Sequence, residues 1–373
     1  MSYCGIIGGC TANDLALSRN DFYNKRLRAW SRRALSSNRS RRSPTDLISR
    51  WLQRGANDRL DIATERVIAV FTFAFLLFTF AFMTVRQWKL ARRSLPYGER
   101  TLVMGVLNVT PDSFSDGGQF FSFDQAIAHA EQMIDEGADI IDIGGESTRP
   151  GSEFVSVEEE LHRVIPIIEK LTVSVSVVPI SIDTTKSSVA RVALSAGAEI
   201  VNDISALRFD PSLADEVAKA DAGLVLMHSR GTPKTMQQLP PAEDIMTEVI
   251  DGLRESVATA QQHGVALESI AVDPGIGFGK TTQQNLELIA KLDQLAHAFP
   301  NFPIMIGTSR KAFIGKILAD APVSERLHGT IATVVASALR GAHIVRVHDV
   351  KAAVEAIRVI DAIRSAQISR IAS

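Results

Sequence analysis

The sequence predicts a (β/α)8 barrel, a closed ring of parallel strands surrounded by helices, over its last 273 residues. In this region eight short apolar runs rich in Val and Ile alternate with amphipathic helical stretches, a pattern typical of buried parallel strands covered by helices. The length also suits a barrel, which typically needs ~250 residues. An open doubly wound sheet is the structural alternative, but the glycine fingerprint that usually follows its first strand is absent.

The eight predicted strands are Leu102–Leu107, Asp139–Ile143, Val177–Ile182, Glu199–Val201, Gly223–Met227, Ile270–Val272, Pro303–Ile306 and Ile344–Val347. The helical stretches between and after them are Phe123–Glu136, a segment that begins after Ser156, Ser187–Ser195, Ile245–Gln262, Gln284–Leu295, Glu325–Arg340 and Val350–Ser365. Ser156 and Glu159 have the spacing of a capping box, which predicts a helix start at that point.

The first 100 residues differ in charge and texture from the predicted barrel. They contain 18 Lys and Arg against 7 Asp and Glu, although the whole chain has a net charge of −2. We expect residues 1–66 to be a basic extension that is disordered or not native. Val67–Val85 follows with 19 uncharged residues, six of them Phe, which is long enough for a transmembrane helix.

An alternative is that translation starts naturally at Met83, so that residues 1–82 are an over-extended start. Contact with a membrane therefore depends on whether Val67–Val85 is genuine. If it is, we expect the barrel, residues 86–373, to face the cytoplasm. The overall charge balance predicts no nucleic-acid partner. The two cysteines, Cys4 and Cys10, precede the predicted barrel and exclude a disulfide scaffold or a cysteine metal site within it.

Polar residues stand at the carboxyl end of every predicted strand, where the loops of a barrel form its active-site mouth. They are Asn108, Asp142, Asp183, Asn202 with Asp203, His228, Asp273, Ser309 with Arg310 and Lys311, and Arg346 with His348. Packing alone does not explain eight polar strand ends on one rim. Basic side chains there suit phosphate or carboxylate groups, and we expect a cationic wall of Arg149, Lys311, Arg346 and His348. Carboxylate and amide groups suit the edge of a nitrogen heterocycle, which Asp183, Asn202 and Asp273 supply. Lys280, in a glycine-rich loop that lacks the spacing of a P-loop, is expected to be a solvated charge.

These residues lie in segments that resemble the dihydropteroate synthase family. GVLNVTPDSFSDGG (Gly105–Gly118) is similar to its first signature and DIIDIGGESTRPG (Asp139–Gly151) to its second. Shorter matches follow in the family's order: Ile182–Thr184, Asn202–Ile204, Leu226–His228, Asp273–Gly275, Ser309–Lys311 and Arg346–Asp349. The resemblance covers about residues 86–373 and does not extend to residues 1–82.

The resemblance implies an enzyme, a transferase that joins p-aminobenzoate to 6-hydroxymethyl-7,8-dihydropterin pyrophosphate and releases pyrophosphate. By this resemblance the pterin site would consist of Asp183, Asn202, Met227, Asp273, Phe278 and Lys311. The p-aminobenzoate site would consist of Thr148, Arg149 and Pro150, and the pyrophosphate site of Arg346 and His348. Asn108 would contact Mg²⁺, and Asp183, Arg149 and Lys311 would be catalytic. The resemblance also implies a homodimer formed through the last helices.

One position departs from the resemblance, since Ala312 stands where many members have a serine close to the p-aminobenzoate carboxylate. A lost hydroxyl would weaken that binding by about 1 kcal/mol. Two other functions use a similar site. A pterin-dependent methyltransferase would have no need of the Glu146–Gly151 loop or of Arg346 and His348. A paralogue that only binds pterin would be expected to lack Arg149, Lys311 or Asp183, and all three are present.

Overall fold

A computed structural model describes residues 86–109, 119–148, 151–174 and 177–371. The basic extension, residues 1–66, and the apolar segment Val67–Val85 lie outside these residues, so their predictions stay predictions. Among the helices that the structure describes, none is both long and apolar enough to cross a bilayer.

The predicted barrel is confirmed over the described residues. Eight parallel strands form one sheet. They are β3 (Leu102–Asn108), β4 (Ile140–Gly144), β5 (Ile180–Asp183), β6 (Ile200–Asp203), β7 (Gly223–Met227), β8 (Ile270–Asp273), β9 (Met305–Ile306) and β10 (Ile344–Val347). Their order in the sheet is β8-β7-β6-β5-β4-β3-β10-β9. A parallel bridge between Val272 and Ile304 links β8 to the segment before β9 and completes the ring.

Helices follow the strands as a parallel barrel requires. They are α1 (Gln119–Asp135), α2 (Val157–Ser174), α3 (Ser187–Ala196), α4 (Leu213–Lys219), α5 (Ile245–Gln262), α6 (Thr282–Ala290), α7 (Leu292–Ala298), α8 (Ala312–Ile317), α9 (Leu327–Leu339) and α10 (Val350–Ile371). The Ser156 hydroxyl accepts a hydrogen bond from the backbone N–H of Glu159, which confirms the predicted start of α2.

Three features differ from the sequence-based prediction. The stretch Gln284–Leu295 was predicted as one helix, but the structure has two, α6 and α7, which meet at Lys291. Leu288, Leu292 and Leu295 are all buried, so the apolar periodicity continues through the break and hides it. The short helices α4 and α8 were not predicted, because each is too short for a periodic pattern to stand out.

A two-stranded hairpin before the barrel was also not predicted. β1 (Arg86–Lys89) pairs antiparallel with β2 (Ser94–Tyr97). Its Trp88 is fully buried and donates a hydrogen bond from Nε1 to the carbonyl of Ser269, 2.8 Å away. Trp88 packs in one apolar cluster with the inward-facing residues at the start of the barrel strands. The hairpin therefore closes the end of the barrel opposite the predicted mouth.

Candidate active site

The alternation of side chains along the strands places a polar layer inside the barrel mouth. Side chains two residues apart on a strand point to the same face of the sheet. Residues of the closed end that share one apolar cluster include Ile140, Ile200, Ala271 and Ile344. Two residues further along the same strands stand Asp142, Asn202, Asp273 and Arg346. The same register that fills the closed end with apolar side chains thus directs polar ones towards the mouth.

Arg346 lies at the centre of this layer and joins two strands. Its Nε lies 2.6 Å from Oδ2 of Asp142, and its Nη2 lies 2.7 Å from Oδ2 of Asp183. Asn202 donates from Nδ2 to the same Asp142 oxygen at 3.0 Å. Asp142 stands at the end of a predicted strand, but the sequence predicts no role for it. Its inward position, two residues after Ile140, is the signal that would have found it.

Two oxygens of the layer are buried without a hydrogen-bond partner in the part of the chain that the structure describes, Oδ1 of Asp142 and Oδ1 of Asn202. Buried acceptors are nearly always satisfied in folded proteins, by protein groups or by ordered water. A bound molecule that presents N–H groups to these oxygens would satisfy them. The layer therefore has the chemistry of a site for a hydrogen-bond donor such as an aminated heterocycle.

Burial shifts the protonation equilibria of the mouth towards neutral pH. Desolvation raises the pKa of Asp183 to about 7, although Arg346 opposes the shift. Desolvation also raises the pKa of Asp273 to about 6, against the hydrogen bond that its carboxylate accepts from the backbone of Gly275. Lys311 responds in the opposite sense, because burial lowers its pKa to about 8. Near neutral pH these groups can gain or lose protons when a ligand binds.

An apolar wall borders the polar layer. Ile204, Met227, Met236 and Phe278 form a small buried cluster separate from the main core. The Lys311 ammonium lies 4.1 Å from the centroid of the Phe278 ring, a cation–π distance. The sequence-predicted pair Met227 and Phe278 is thus brought together beside Lys311. A flat aromatic ligand could lie against this wall with its edge towards the polar layer.

The loop after β8 is fixed by a buried lysine. The Lys280 ammonium donates to the carbonyls of His228, Gly275 and Phe278, at 3.2, 2.9 and 3.1 Å. The expectation of a solvated charge was wrong, since Lys280 is only 6% exposed. Gly277 in this loop has a φ of +88°, and a Cβ there would lie 3.2 Å from Cδ of Lys311. The loop therefore needs glycine at this position to bring its backbone close to Lys311.

His348 is uncharged near neutral pH, whereas a cation was predicted at this position from the sequence. Burial lowers its pKa to about 3, and the nearby Arg346 adds to the effect. Its Nδ1 lies 3.0 Å from the Ser309 hydroxyl, which also accepts the backbone N–H of His348 at 3.2 Å. Arg310, next to Ser309, is paired through two hydrogen bonds with Asp349. Around this part of the mouth, the permanent charge facing the site comes from Arg346.

The remaining predicted site residues lie on the β3–α1 and β4–α2 loops. Asn108 ends β3 and is half-buried, and Thr148 is half-buried just after β4. Arg149 and Pro150 lie outside the described residues, so their predicted roles stay predictions. Asn108 and Asp183 lie on the same side of Gly144 in β4, since a Cβ added to this glycine would lie 3.9 Å from Oδ1 of Asn108 and 3.8 Å from Oδ2 of Asp183.

The described residues contain no group of three or more His, Cys, Asp or Glu side chains placed to hold a metal ion. Mg²⁺ keeps waters and is usually held by one or two protein oxygens together with substrate phosphates. The single amide oxygen of Asn108 at the mouth fits a metal that arrives with a pyrophosphate.

Comparison with known proteins agrees with this geometry. Residues 104–348 match the family described as pterin binding enzyme. The chain is 50% identical over 267 residues to the dihydropteroate synthase of Synechocystis sp., covering 72% of this chain and 91% of that one. It is 49% identical over 269 residues to the dihydropteroate synthase of Bacillus subtilis, covering 72% and 90% of the two chains.

Solved structures give the same result. Burkholderia cenocepacia dihydropteroate synthase complexed with 7,8-dihydropteroate superposes with a TM-score of 0.68 at 42% identity, covering 76% of this chain and 98% of that one. Xanthomonas albilineans dihydropteroate synthase with 4-aminobenzoic acid superposes with a TM-score of 0.69 at 42% identity, covering 74% and 98%. The chain belongs to the pterin-binding enzymes and, within them, to the dihydropteroate synthase family.

Proposed function

We propose that this chain is a transferase of folate biosynthesis that condenses p-aminobenzoate with (7,8-dihydropterin-6-yl)methyl pyrophosphate. The products are 7,8-dihydropteroate and pyrophosphate. The observation that carries the proposal is the layer of buried carboxylate and amide groups around Arg346, in which two buried oxygens have no hydrogen-bond partner among the described residues. Such groups suit the N–C–N edge of a pterin, which presents several N–H donors.

The pterin ring lies against Met227 and Phe278, with its polar edge towards Asp183, Asn202 and Asp273. A carboxylate can accept two N–H bonds side by side, which holds a ring in one orientation and rejects rings that lack the donors. Lys311, packed on Phe278, faces the same ring. Because the pKa of Asp183 is about 7 and that of Asp273 about 6, both carboxyls are mostly anionic above neutral pH, where they stabilise the cationic character of the ring.

The bond that breaks joins the exocyclic methylene of the pterin to the pyrophosphate oxygen. The electron-rich ring supports positive charge on that methylene as the bond lengthens, so the reaction can be largely dissociative. Arg346 and His348 bind the departing pyrophosphate, the first as a cation and the second as a hydrogen-bond donor. Mg²⁺, with Asn108 as its protein ligand, would supply further positive charge to the leaving group.

The lone pair of the p-aminobenzoate amine forms the new carbon–nitrogen bond, and the amine then loses one proton to the solvent or to the pyrophosphate. The substrate is its own nucleophile, so no serine, cysteine or histidine nucleophile is needed. Thr148, Arg149 and Pro150 bind p-aminobenzoate, and the β4–α2 loop excludes water that would otherwise hydrolyse the activated pterin. With Ala312 in place of a serine, the carboxylate relies on Arg149 and backbone N–H groups.

The barrel functions in the cytoplasm as a homodimer formed through its last helices. Leu339 on α9 and Val359 and Ile363 on α10 support this assembly, because they are large apolar side chains about half exposed. Val359 and Ile363 are four residues apart and so lie on one face of α10. A light-scattering mass twice that of the chain would agree with the homodimer, whereas a monomer mass at micromolar concentration would contradict it.

The proposal is tested by pyrophosphate release from the full-length chain with Mg²⁺, the pterin pyrophosphate and p-aminobenzoate. We expect turnover to require p-aminobenzoate and to fall sharply in Arg149→Ala. The matched control is Arg340→Ala, whose side chain is about half exposed and pairs only loosely with Asp293. A folded protein that binds the pterin substrate and releases no pyrophosphate would contradict the proposal and leave a protein that only binds pterin.

A further inference from the structure

Lys186, just after β5, is a buried lysine with a role that the proposed chemistry does not use. Its ammonium lies 2.6 Å from Oε2 of Glu146 and 2.5 Å from Oε2 of Glu160. Glu160 has no exposed side-chain surface, and the side chains of Lys186 and Glu146 are only 11% and 16% exposed. Glu146 belongs to the β4–α2 loop and Glu160 to the first turn of α2. One ammonium therefore joins this loop to the helix that follows it.

The partner Glu146 also closes the base of the loop. Its Oε1 accepts the backbone N–H of Val155 at 3.1 Å, so residues at the start and end of the loop are joined by one carboxylate. Next to it, the carbonyl of Gly145 accepts a hydrogen bond from Arg163 of α2 at 2.8 Å. We call Gly145, Glu146, Val155 and Ser156 the loop neck. Among the described residues that these contacts join to the loop neck, Arg163 belongs to the following helix α2, whereas Lys186 belongs to the segment after a different strand, β5.

A third contact places Lys186 against the same end of the loop. Its ammonium lies 4.8 Å from the centroid of the Phe154 ring, immediately before Val155. Phe154 is 68% exposed, so this ring is positioned by Lys186 more than by burial. Beyond the neck, the backbone N–H of Gly151 donates to the carbonyl of Pro233 in the loop after β7. The described contacts thus join the β4–α2 loop to the segment after β5 and to the loop after β7.

The stability of the fold does not by itself explain this arrangement. Buried ion pairs contribute little net stability, because the cost of removing both charges from water offsets their attraction. In some proteins such pairs instead fix a particular geometry, because each buried charge has few alternative positions. Here the fixed residue is Glu146, two positions before Thr148, which we assign to the p-aminobenzoate site.

We propose that Lys186 is a positioning residue that fixes the neck of the β4–α2 loop through Glu146 and thereby sets the affinity for p-aminobenzoate. This inference rests on the proposed function, because it assigns the loop to that substrate. Lys186 contacts neither substrate. It acts only through the loop, so pterin binding in the polar layer should not depend on it.

The test uses Glu146→Gln in the full-length chain. This change keeps the size of the side chain and an acceptor for Val155, removes the charge held by Lys186, and leaves Lys186 paired with Glu160. The matched control is Glu287→Gln, which removes one carboxylate from a more exposed pair, that of Glu287 with Lys291, outside the loop neck. Lys186→Met and Lys186→Arg form a second pair, in which the arginine keeps the charge.

We expect Glu146→Gln to raise the KM for p-aminobenzoate by about tenfold or more, the usual worth of one hydrogen bond between a loop group and the substrate carboxylate. The dissociation constant of the pterin substrate should be unchanged. Hydrogen exchange of the peptide spanning residues 145–156, followed by mass spectrometry, should become faster. Lys186→Met should behave in the same way, Lys186→Arg should recover most of the wild-type KM, and Glu287→Gln should match wild type throughout.

Unchanged exchange in residues 145–156 and an unchanged KM in Glu146→Gln would overturn the proposal. So would an equal loss of affinity for both substrates, since that would indicate a general structural role. If the wild-type chain itself shows no turnover that depends on p-aminobenzoate, the proposed function fails. In that case the exchange experiment still decides whether Lys186 fixes the loop neck.

Discussion

Replacing Arg346 by methionine tests the electrostatic organisation of the mouth. Methionine retains much of the side-chain volume but leaves the carboxylates of Asp142 and Asp183 without their cation. Those carboxylates are 0% and 9% exposed, and each lies within 2.7 Å of an Arg346 nitrogen. Removing one partner of a buried pair typically costs about 3–5 kcal/mol. We expect Arg346→Met to lower the free energy of unfolding by an amount in that range near pH 8.

The loss should depend on pH in a defined direction. Arg346 holds the pKa of Asp183 down against burial, so in the variant this pKa rises above its wild-type value of about 7. A raised carboxyl pKa gives stability that is present at low pH and is lost as the pH rises through the folded-state pKa. Above about pH 7 the variant therefore keeps a proton that the wild-type protein has released. The difference in stability between the two proteins should grow from about pH 6 to about pH 9.

The assay is urea unfolding, monitored by far-ultraviolet circular dichroism at about pH 6 and at about pH 9. Arg340→Met is the matched control, because the Arg340–Asp293 pair spans 3.7 Å and both side chains are about half exposed. An exposed pair of this kind is worth less than about 1 kcal/mol. A loss of stability in Arg346→Met that is no larger than the loss in Arg340→Met, or that is the same at about pH 6 and about pH 9, would contradict this electrostatic role of Arg346.

Three further predictions follow from single features of the mouth. Asp273→Asn should weaken binding of the pterin substrate about 10–100-fold, because a hydrogen bond to a charged group is usually worth that much. Calorimetry measures this affinity, and a change of less than roughly twofold would argue against contact between Asp273 and the ring. Lys280→Met should lower the free energy of unfolding by about 3 kcal/mol or more, because three carbonyls lose their hydrogen-bond donor. The control Lys291→Met, at an exposed ion pair, should lower it by less than about 1 kcal/mol, and equal losses would contradict the anchoring role of Lys280. Chelation of Mg²⁺ should suppress pyrophosphate release and leave the affinity for a pterin that lacks pyrophosphate unchanged. Loss of that affinity as well would contradict a metal that acts only at the pyrophosphate.

Much of the fold and the location of the site could be predicted from local sequence. Each apolar run between helices gave a strand close to its observed bounds, and polar strand ends indicated one mouth. The exceptions have physical causes. The hairpin that contains Trp88 forms through long-range packing inside the barrel, which periodicity does not encode. The break at Lys291 leaves the apolar face of α6 and α7 continuous, so no pattern reveals it.

Individual charges were harder to predict than their positions. The burial of Lys280 and the loss of charge on His348 arise from desolvation, which depends on the folded environment rather than on neighbouring residues in the chain. The two carboxylates beside Arg346 come from strands β4 and β5, far from it in sequence. The role of Lys186 cannot be predicted from the sequence, because its partners Glu146 and Glu160 become its neighbours only when β4, β5 and α2 pack together.

The central claim is that the barrel mouth forms a carbon–nitrogen bond between a dihydropterin and p-aminobenzoate. The most direct measurement supplies the full-length chain with the pterin pyrophosphate and p-aminobenzoate labelled with ¹⁵N at the amine, and quantifies both products. We expect labelled dihydropteroate and pyrophosphate in equal amounts, and smaller but still equal amounts of both from Asp273→Asn at substrate concentrations that saturate only the wild-type protein. Pyrophosphate released without labelled dihydropteroate would show hydrolysis in place of condensation and would contradict the claim.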